Sequence, residues 1–187
     1  MKADFFNLCK HLIIMNEIEV KILEINKDKI IKKLESLGAE KCFEGKVNAS
    51  FFDFKDKRLK KENSFLRLRD KEKFSELTLK KKISKDEAKI MDETEIVVDN
   101  FANAKKILES LGLVESEIKM NKKRLSYKLG DVHFEIDSLE NLPSYLEIEA
   151  PDLEKLKDAV EKLGFSMNDA KPWSMKDVKE YYIGRHK

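Results

Sequence analysis

Several short segments of this chain alternate between apolar and charged residues, and this pattern limits the fold more than any other feature. Successive side chains of a β-strand point to opposite faces, so residues 17–22 (EIEVKI) predict a strand with one apolar face and one charged face. Further strands are predicted at approximately 47–54, 64–70, 75–82, 93–97, 122–128, 131–137 and 144–149. Short polar turns between them favour antiparallel pairing, and about eight strands are enough to close a barrel.

Helical patterns separate some of these strands. Each pattern has an apolar stripe at helical spacing, a polar residue that can cap its start and a glycine just past its end. The three helices are predicted to run from Asn26 or Asp28 to Gly38, from Asn100 or Asn103 to Gly112, and from Pro151 and Asp152 to Gly164. Their apolar stripes must be buried against the strands.

The sequence also contains a weak internal repeat. The motif LESLG at residues 34–38 recurs at 108–112, an offset of 74 (111 − 37), and the same offset carries Glu19 onto Glu93. We therefore predict two pseudo-repeated halves, each with a charged-face strand, a helix and further strands. The expected fold is α+β: an eight-stranded antiparallel β-barrel with flanking helices, forming one domain over residues 15–187 after an N-terminal extension, residues 1–14.

Charge and composition argue against several classes of protein. The chain has 187 residues, and its 38 Lys and Arg against 36 Asp and Glu leave a net charge of +2, which is not the basic excess of a nucleic-acid-binding protein. No apolar run reaches the roughly 18 residues of a membrane span, and residues 1–14 lack the features of a signal peptide. The two cysteines form neither a zinc-site nor a disulfide pattern. We expect a cytoplasmic protein that binds neither nucleic acid nor membrane; its oligomeric state stays open, with a homodimer among the options.

The charged strand faces are predicted to line the interior of the barrel. If the apolar faces filled the interior, the helices would have nothing to pack on. The alternative is a solvated sheet face with cross-strand ion pairs, but doublets such as Glu-x-Glu and Arg-x-Arg on five or more strands favour an enclosed site. The charged residues expected in the lumen are Glu17, Glu19, Lys21, Arg67, Arg69, Lys80, Glu93, Glu95, Lys122, Arg124, Glu147 and Glu149, joined by His133, Glu135 and Asp137.

An enclosed mixture of acidic and basic groups suits one kind of ligand. Desolvating an unpaired charge costs roughly several kcal/mol, so such charges must pair, stay hydrated or be neutralised by something bound. Arginine and lysine bind phosphate oxygens. Carboxylates bind Mg²⁺ or Mn²⁺, which can bridge to the same phosphates. The pattern therefore predicts a site for a divalent metal ion and a polyphosphate.

The order of these motifs resembles the CYTH superfamily, the triphosphate tunnel enzymes named for class IV adenylyl cyclase and thiamine triphosphatase. Residues 17–21 (EIEVK) are similar to the family's ExExK signature. The other similar segments are NASFFD at 48–53, with Phe where tyrosine is common, RLR at 67–69, LTLK at 77–80, ETE at 93–95, KKR at 122–124, IDSL at 136–139 and LEIE at 146–149. The resemblance covers about residues 15–182.

The resemblance implies an eight-stranded tunnel and a role for each charged residue. The implied catalytic residues are Glu17, Glu19 and Lys21. The implied phosphate-binding residues are Lys21, Arg67, Arg69, Lys80, Lys122 and Arg124. The implied ligands of Mg²⁺ or Mn²⁺ are Glu17, Glu19, Glu93, Glu95, Asp137, Glu147 and Glu149. For Glu93 and Glu95 the alternative role is orientation of the basic groups. By strand phase, Lys82 and Glu135 are second-ranked candidates, and Lys123 should point away from the lumen.

The resemblance leaves the reaction open. Our first expectation is a triphosphatase acting on tripolyphosphate, thiamine triphosphate or a nucleoside triphosphate. The alternative is a class IV adenylyl cyclase, in which the 3′-hydroxyl of ATP attacks the α-phosphorus. A third is a polyphosphate- or nucleotide-binding module without turnover, and a fourth is an RNA-binding groove that uses lysines 55–61 or 80–82. In the first three, the partner is a triphosphate-containing small molecule.

Overall fold

The computed structural model describes residues 17–185. The strands are β1 (Glu17–Ile22), β2 (Glu40–Phe54), β3 (Ser64–Asp70), β4 (Ser75–Lys85), β5 (Lys89–Val98), β6 (Leu113–Leu129), β7 (Val132–Ser138), β8 (Tyr145–Ala150) and β9 (Ala170–Lys171). The helices are α1 (Lys27–Ser36), α2 (Arg58–Lys61), α3 (Phe101–Ser110), α4 (Leu153–Lys162) and α5 (Met175–Arg185). The predicted extension, residues 1–14, lies outside the described residues.

Eight of the strands form a closed antiparallel ring. Their order is β5-β4-β3-β2-β6-β7-β8-β1, and β1 also pairs with β5, which closes the ring. The two-residue strand β9 pairs with β1 beside that junction, with Lys21 opposite Lys171. The predicted α+β fold with a ring of eight antiparallel strands is confirmed.

The two predicted halves are visible in the order of the elements. β1-α1-β2-β3-β4 and β5-α3-β6-β7-β8 follow the same plan, and exchanging the halves leaves the order of strands around the ring unchanged. The short helix α2 is inserted in the first half, and α4 follows the second. Each half contributes four strands to the ring. β1 lies between β8 and β5 of the second half, β4 pairs with β5, and β2 pairs with β6.

The three predicted helices have the expected ends. The side chains of Asn26, Asn100 and Asp152 each accept a hydrogen bond from a backbone N–H three residues on, at 2.8–3.0 Å. Gly38, Gly112 and Gly164 follow the helices with φ of 77°, 90° and 87°, a left-handed conformation that glycine adopts without strain. The helix boundaries are therefore dictated by local sequence.

The apolar strand faces point outward and are covered by helices. In the larger core, Val20 and Ile148 of the ring pack with Leu34 of α1 and Leu156 of α4. A smaller core joins Phe52 and Leu68 to Ala104 and Leu108 of α3. These residues are the apolar, alternate positions of their strands. Because neighbouring side chains of a strand point to opposite faces, the charged side chains between them face the lumen, as predicted.

The prediction missed parts of the fold. β2 and β6 begin well before the predicted positions 47 and 122. The early segment of each strand lacks clean alternation and pairs with the later, predicted part of the other, so that the ladder runs from Glu40–Lys128 to Phe54–Leu113. β9, α2 and α5 were not predicted either. Long-range pairing and packing, which single segments do not encode, stabilise these elements.

None of the helices in residues 17–185 is long and apolar enough to cross a membrane.

Replacing Leu156 tests the outward-facing core. Its side chain is fully buried between α4 and the strands, so Leu156→Ala should lower the free energy of unfolding by about 2–5 kcal/mol. The matched control is Leu111→Ala, because Leu111 is 67% exposed and its loss should change stability by less than about 0.5 kcal/mol. Urea denaturation measures both, and equal effects would contradict this description of the core.

Candidate functional site

The register of the strands collects the charged residues on one surface, the lumen of the ring. Residues directly opposite each other on paired strands project to the same face. Pairs such as Lys21–Glu147, Lys80–Glu93 and Arg124–Asp137 therefore share the lumen. These strands come from both halves of the chain, so only the closed ring brings the residues together.

All of the predicted site residues are enclosed. Glu149 is half-buried, and the exposed fraction of every other predicted side chain is at most 14%, falling to 0% at Asp137. Lys123 is exposed, as predicted. Of the second-ranked residues, Glu135 pairs with Arg124 in the lumen. Lys82 lies opposite Met91 and keeps the phase of Lys80, but its side chain is exposed.

An acidic cluster lies where β1 meets β5. Lys80 forms ion pairs with Glu17 and Glu93, and the Glu17 carboxyl also hydrogen-bonds to the carboxyls of Glu93 and Glu149. Burial alone would raise the pKa of Glu17, but Lys80 lowers it well below its usual range. Burial and the negative charge of Glu17 raise the pKa of Glu149 well above its usual range, and burial also raises that of Glu93.

Lys21 lies between two carboxylates in the middle of the lumen. Its Nζ is 2.8 Å from Glu19 Oε1 and 2.6 Å from Glu147 Oε2. Burial would lower the pKa of Lys21, but Glu147 and Glu19 raise it, so the ammonium stays charged. Lys89 also approaches Glu19, at 2.8 Å.

Arg124 and Lys122 share the buried carboxylate of Asp137. Arg124 donates two hydrogen bonds of 2.7 Å to it, Lys122 one of 2.6 Å and the Tyr145 hydroxyl one of 2.9 Å. Burial and the neighbouring Arg124 charge lower the pKa of Lys122 to about 8. The Lys122 charge is therefore incompletely neutralised, because it shares Asp137 with Arg124, which also pairs with Glu135 and Glu147.

A second basic cluster contains Arg67 and Arg69. Arg69 pairs with Glu95 at 2.8 Å and with Glu76 at 2.9 Å. Arg67 has only long contacts, 3.5 Å to Thr78 Oγ1 and 4.0 Å to Glu95. The Nε atoms of both arginines are buried and have no hydrogen-bond acceptor within residues 17–185. Burial and the charge of Arg69 lower the pKa of Arg67 to about 10.

Four lumen residues were missed by the sequence analysis. Glu76 bonds Lys71 at 2.8 Å as well as Arg69, Lys89 bonds Glu19, and Tyr145 bonds Asp137. Three of them share strand phase with predicted residues: Glu76 with Lys80, Lys89 with Glu93, and Tyr145 with Glu147. The alternation that revealed the predicted residues could therefore have revealed these as well.

The acidic cluster of Glu17, Glu93 and Glu149 is the part of the lumen whose side chains suit a divalent metal ion. Within the described part of the chain, His, Cys, Asp and Glu side chains do not converge in groups of three with the arrangement of metal ligands, because the carboxyls bond to lysine and to each other. The donor chemistry does fit: Glu17, Glu93 and Glu149 are oxygen donors from three strands, which Mg²⁺ and Mn²⁺ prefer. Burial and the negative charge of Glu17 raise the pKa values of Glu93 and Glu149 in spite of the positive charge of Lys80.

The other predicted metal ligands contact cations. Asp137 binds Arg124, Glu147 and Glu19 bind Lys21, and Glu95 binds Arg69. Their roles, and those of the phosphate-binding residues, stay predictions. The lumen as a whole combines acidic donors for a cation with under-neutralised basic donors for an anion.

The structure is thus a ring of eight antiparallel strands whose lumen is lined by carboxylates, lysines and arginines. The chain belongs to the CYTH domain family, which matches residues 15–182. This confirms the resemblance drawn from the motifs.

One relative and two solved structures illustrate the family. A Methanocaldococcus jannaschii protein named as a candidate adenylate cyclase is 30% identical over 139 residues, covering 72% of this chain and 77% of that protein. A Pyrococcus horikoshii protein of known structure is 25% identical, with a TM-score of 0.70 over 87% of this chain and 98% of its own. A Hippeastrum protein, described as a candidate adenylyl cyclase with a dominant triphosphatase activity, is 16% identical with a TM-score of 0.64, over 89% of this chain and 96% of its own; this likeness shows the fold alone.

Replacing Glu149 tests the electrostatics of the acidic cluster. A carboxyl whose pKa is raised by folding contributes stability below its unfolded pKa, near 4.5, and loses it as the pH rises through the folded pKa. Glu149→Gln, which stays neutral, should therefore match the wild type near pH 4 and be more stable at pH 7–8, by on the order of 1 kcal/mol. Chemical denaturation at several pH values measures this.

The matched control is Glu161→Gln on the exposed side of α4, which should show no such pH-dependent gain. A Glu149→Gln variant that is less stable than the wild type at pH 7 would contradict the assignment.

Proposed function

We propose that this protein is a metal-dependent enzyme that binds a triphosphate-containing small molecule in its lumen and hydrolyses it. The observation that supports this most directly is that the lumen contains both cations and carboxylates whose neighbours do not fully neutralise them. The pKa values of Arg67 and Lys122 are lowered to about 10 and 8, and those of Glu93 and Glu149 are raised. An anion bound beside Arg67 and Lys122 would stabilise their charged forms, and a cation bound beside Glu93 and Glu149 would stabilise the charged forms of these carboxyls.

The basic residues would hold the phosphate oxygens. Arg67 and Arg69 each have a buried Nε–H with no acceptor among residues 17–185, and guanidinium groups suit phosphate oxygens in shape and charge. The Lys122 ammonium would donate hydrogen bonds both to Asp137 and to the ligand. Since these donors are fixed by strands and ion pairs, little reorganisation is needed when charge develops on the transferring phosphoryl group.

The acidic cluster would hold the metal. Glu17, Glu93 and Glu149 would bind Mg²⁺ or Mn²⁺, with Glu19, Glu95, Asp137 and Glu147 as the other family-implied donors. A bound divalent ion supplies charge neutralisation at the phosphates and activation of water. Lys21, held charged between Glu19 and Glu147, would orient those carboxylates and add positive charge at the reacting phosphate. Phosphoryl transfer depends on positioning and charge neutralisation, so a covalent nucleophile is not required.

The second candidate is a class IV adenylyl cyclase. The observation that favours it is the name of the Methanocaldococcus jannaschii relative. The dominant triphosphatase activity described for the Hippeastrum cyclase candidate, which has the same fold, is why we place hydrolysis first. The same lumen charges would serve both reactions, which differ in the phosphorus attacked. Every expected carboxylate is in place, which argues against a module that binds without turnover.

The test offers Mg²⁺ or Mn²⁺ with inorganic tripolyphosphate, thiamine triphosphate and ATP in separate assays, and measures free phosphate, pyrophosphate and cyclic AMP. We expect phosphate release, and Glu19→Ala should abolish it while the circular dichroism spectrum stays unchanged. Cyclic AMP and pyrophosphate as the products would favour the cyclase instead.

Binding of tripolyphosphate, measured by calorimetry, tests the lumen independently of turnover. Lys122→Gln removes a buried charged donor and should weaken binding about 10- to 100-fold. Lys123→Gln is the matched control, since Lys123 is the next residue on β6 but is exposed on the other face. Equal weakening by both variants would place the ligand outside the lumen.

A further inference from the structure

The turn between β3 and β4 extends the row of cations on β3. Lys71 follows Arg69 by two residues and therefore continues the lumen phase of Arg67 and Arg69. Its Nζ lies 2.8 Å from Oε1 of Glu76, and Oε2 of the same carboxylate lies 2.9 Å from Nη2 of Arg69. The side chain of Lys71 is 9% exposed and that of Glu76 is fully buried. One buried carboxylate thus holds two neighbouring cations of the row.

Two phenylalanine rings flank the Lys71 ammonium. Its Nζ is 5.4 Å from the centroid of the Phe43 ring and 5.5 Å from that of the Phe74 ring, within the range of cation–π contacts. Phe74 lies two residues before Glu76, so it shares the lumen phase of that residue. Both rings are half-buried. The ammonium is therefore fixed by contacts with a carboxylate and with two aromatic rings.

The turn folds across this end of the ring. Gly45 of β2 lies opposite Arg124 and therefore has the lumen phase, which Phe43, two residues earlier, shares. A β-carbon on Gly45 would stand 2.7 Å from Oε2 of Glu72 and 3.1 Å from the Phe43 ring. The Glu72 side chain thus occupies the space that a larger residue at position 45 would need. The turn is thereby seated against β2 on the lumen side of the ring.

The opposite end of the same two strands is more open. Phe65 of β3 and Lys82 of β4 have the lumen phase and lie toward that end. The Phe65 side chain is half-buried and that of Lys82 is exposed. A chain of phosphates that enters from there would pass Arg67 first and reach Lys71 last, because the cations follow one another along β3 and its turn.

We propose that Lys71 binds the terminal phosphate of the substrate and that Phe43 and Phe74 close the lumen beyond it, so that the site selects phosphate chains with a free end. This inference rests on the proposed function, because it adds the terminal position to the triphosphate site. An ammonium carries three N–H donors, so Lys71 can bond to a phosphate oxygen while it keeps Glu76. The two rings occupy the space into which a group attached to the terminal phosphate would extend.

Calorimetry with Mg²⁺ and three small phosphate chains tests the closed end. The ligands are tripolyphosphate, its methyl ester capped at one end, and its dimethyl ester capped at both ends. The wild type should bind the first two within about fivefold of each other and the dimethyl ester at least about tenfold more weakly than the monomethyl ester, because only the dimethyl ester lacks a free end. Equal binding of the two esters would overturn the proposal.

Lys71→Met separates phosphate binding from a purely structural role, because it removes the ammonium and keeps an unbranched apolar chain between the rings. It should weaken binding of tripolyphosphate and the monomethyl ester about tenfold, and that of the dimethyl ester by less than about twofold. Lys73→Met is the matched control: Lys73 lies in the same turn but is exposed, and its loss should change each affinity by less than about twofold. If Lys71 only neutralises Glu76, Lys71→Met would weaken all three ligands alike, which would contradict the proposal.

Phe74→Ala tests the closure apart from the charge. It should tighten binding of the dimethyl ester at least about fivefold relative to tripolyphosphate, and an unchanged circular dichroism spectrum would show that the strands are intact. Phe43→Ala repeats the test from β2. A preference for free ends that stays at the wild-type value in both variants would show that the rings do not close the lumen.

The proposed function and this inference fail on different results. A wild type that binds none of tripolyphosphate, thiamine triphosphate and ATP would contradict the proposed function itself. A wild type that binds tripolyphosphate and both of its esters equally would contradict only the closed end. If ATP or thiamine triphosphate binds and tripolyphosphate does not, that compound and its γ-methyl ester give the same comparison.

Discussion

The structure depends on mutual neutralisation of charges that are removed from water. Burying an isolated carboxylate or ammonium is costly, and removing one partner of a buried pair is more costly still. In the ring, cations are held between carboxylates of different strands, as Lys21 is between Glu19 and Glu147 and Lys80 between Glu17 and Glu93. The ring can therefore keep a charged interior only when all eight strands are in register, and the outward apolar faces with their helices supply the hydrophobic stabilisation.

The internal repeat explains where the acidic cluster lies. Glu19 and Glu93 are related by the repeat, and β1 and β5 are neighbours because the two halves meet there. Duplication thus places acidic positions on adjoining strands, where Glu17 and Glu93 share Lys80. The basic clusters lie on strands away from this junction: Arg67 on β3 and Lys122 on β6. The lumen therefore holds both an acidic cluster and cations that are incompletely neutralised, and Arg67 is within electrostatic reach of Glu17 and Glu93.

The sequence predicted the fold and the lumen where periodicity and capping were strong. Alternation determines which residues face inward because a strand has only two faces, and it correctly predicts that Glu17, Arg124 and Asp137 face the lumen. Lys82, a second-ranked candidate, keeps the phase of Lys80, because the irregularity of β4 follows it, but its side chain is exposed. The pairing partners could not be predicted. Nothing in the sequence shows that Arg124 and Lys122 share Asp137, or that the contacts of Arg67 with Thr78 and Glu95 are as long as 3.5 and 4.0 Å, because these depend on register between strands far apart in the chain. The early parts of β2 and β6 and the position of α5 were missed for the same reason.

The most direct test of this account is a crystal structure of the protein grown with tripolyphosphate and Mn²⁺, with the manganese located by its anomalous scattering. The account predicts one or more manganese peaks inside the ring among Glu17, Glu93 and Glu149, with phosphate oxygens bonded to Arg67 and Lys122. Manganese and tripolyphosphate found only on the outer surface, with the lumen ion pairs unchanged, would contradict it.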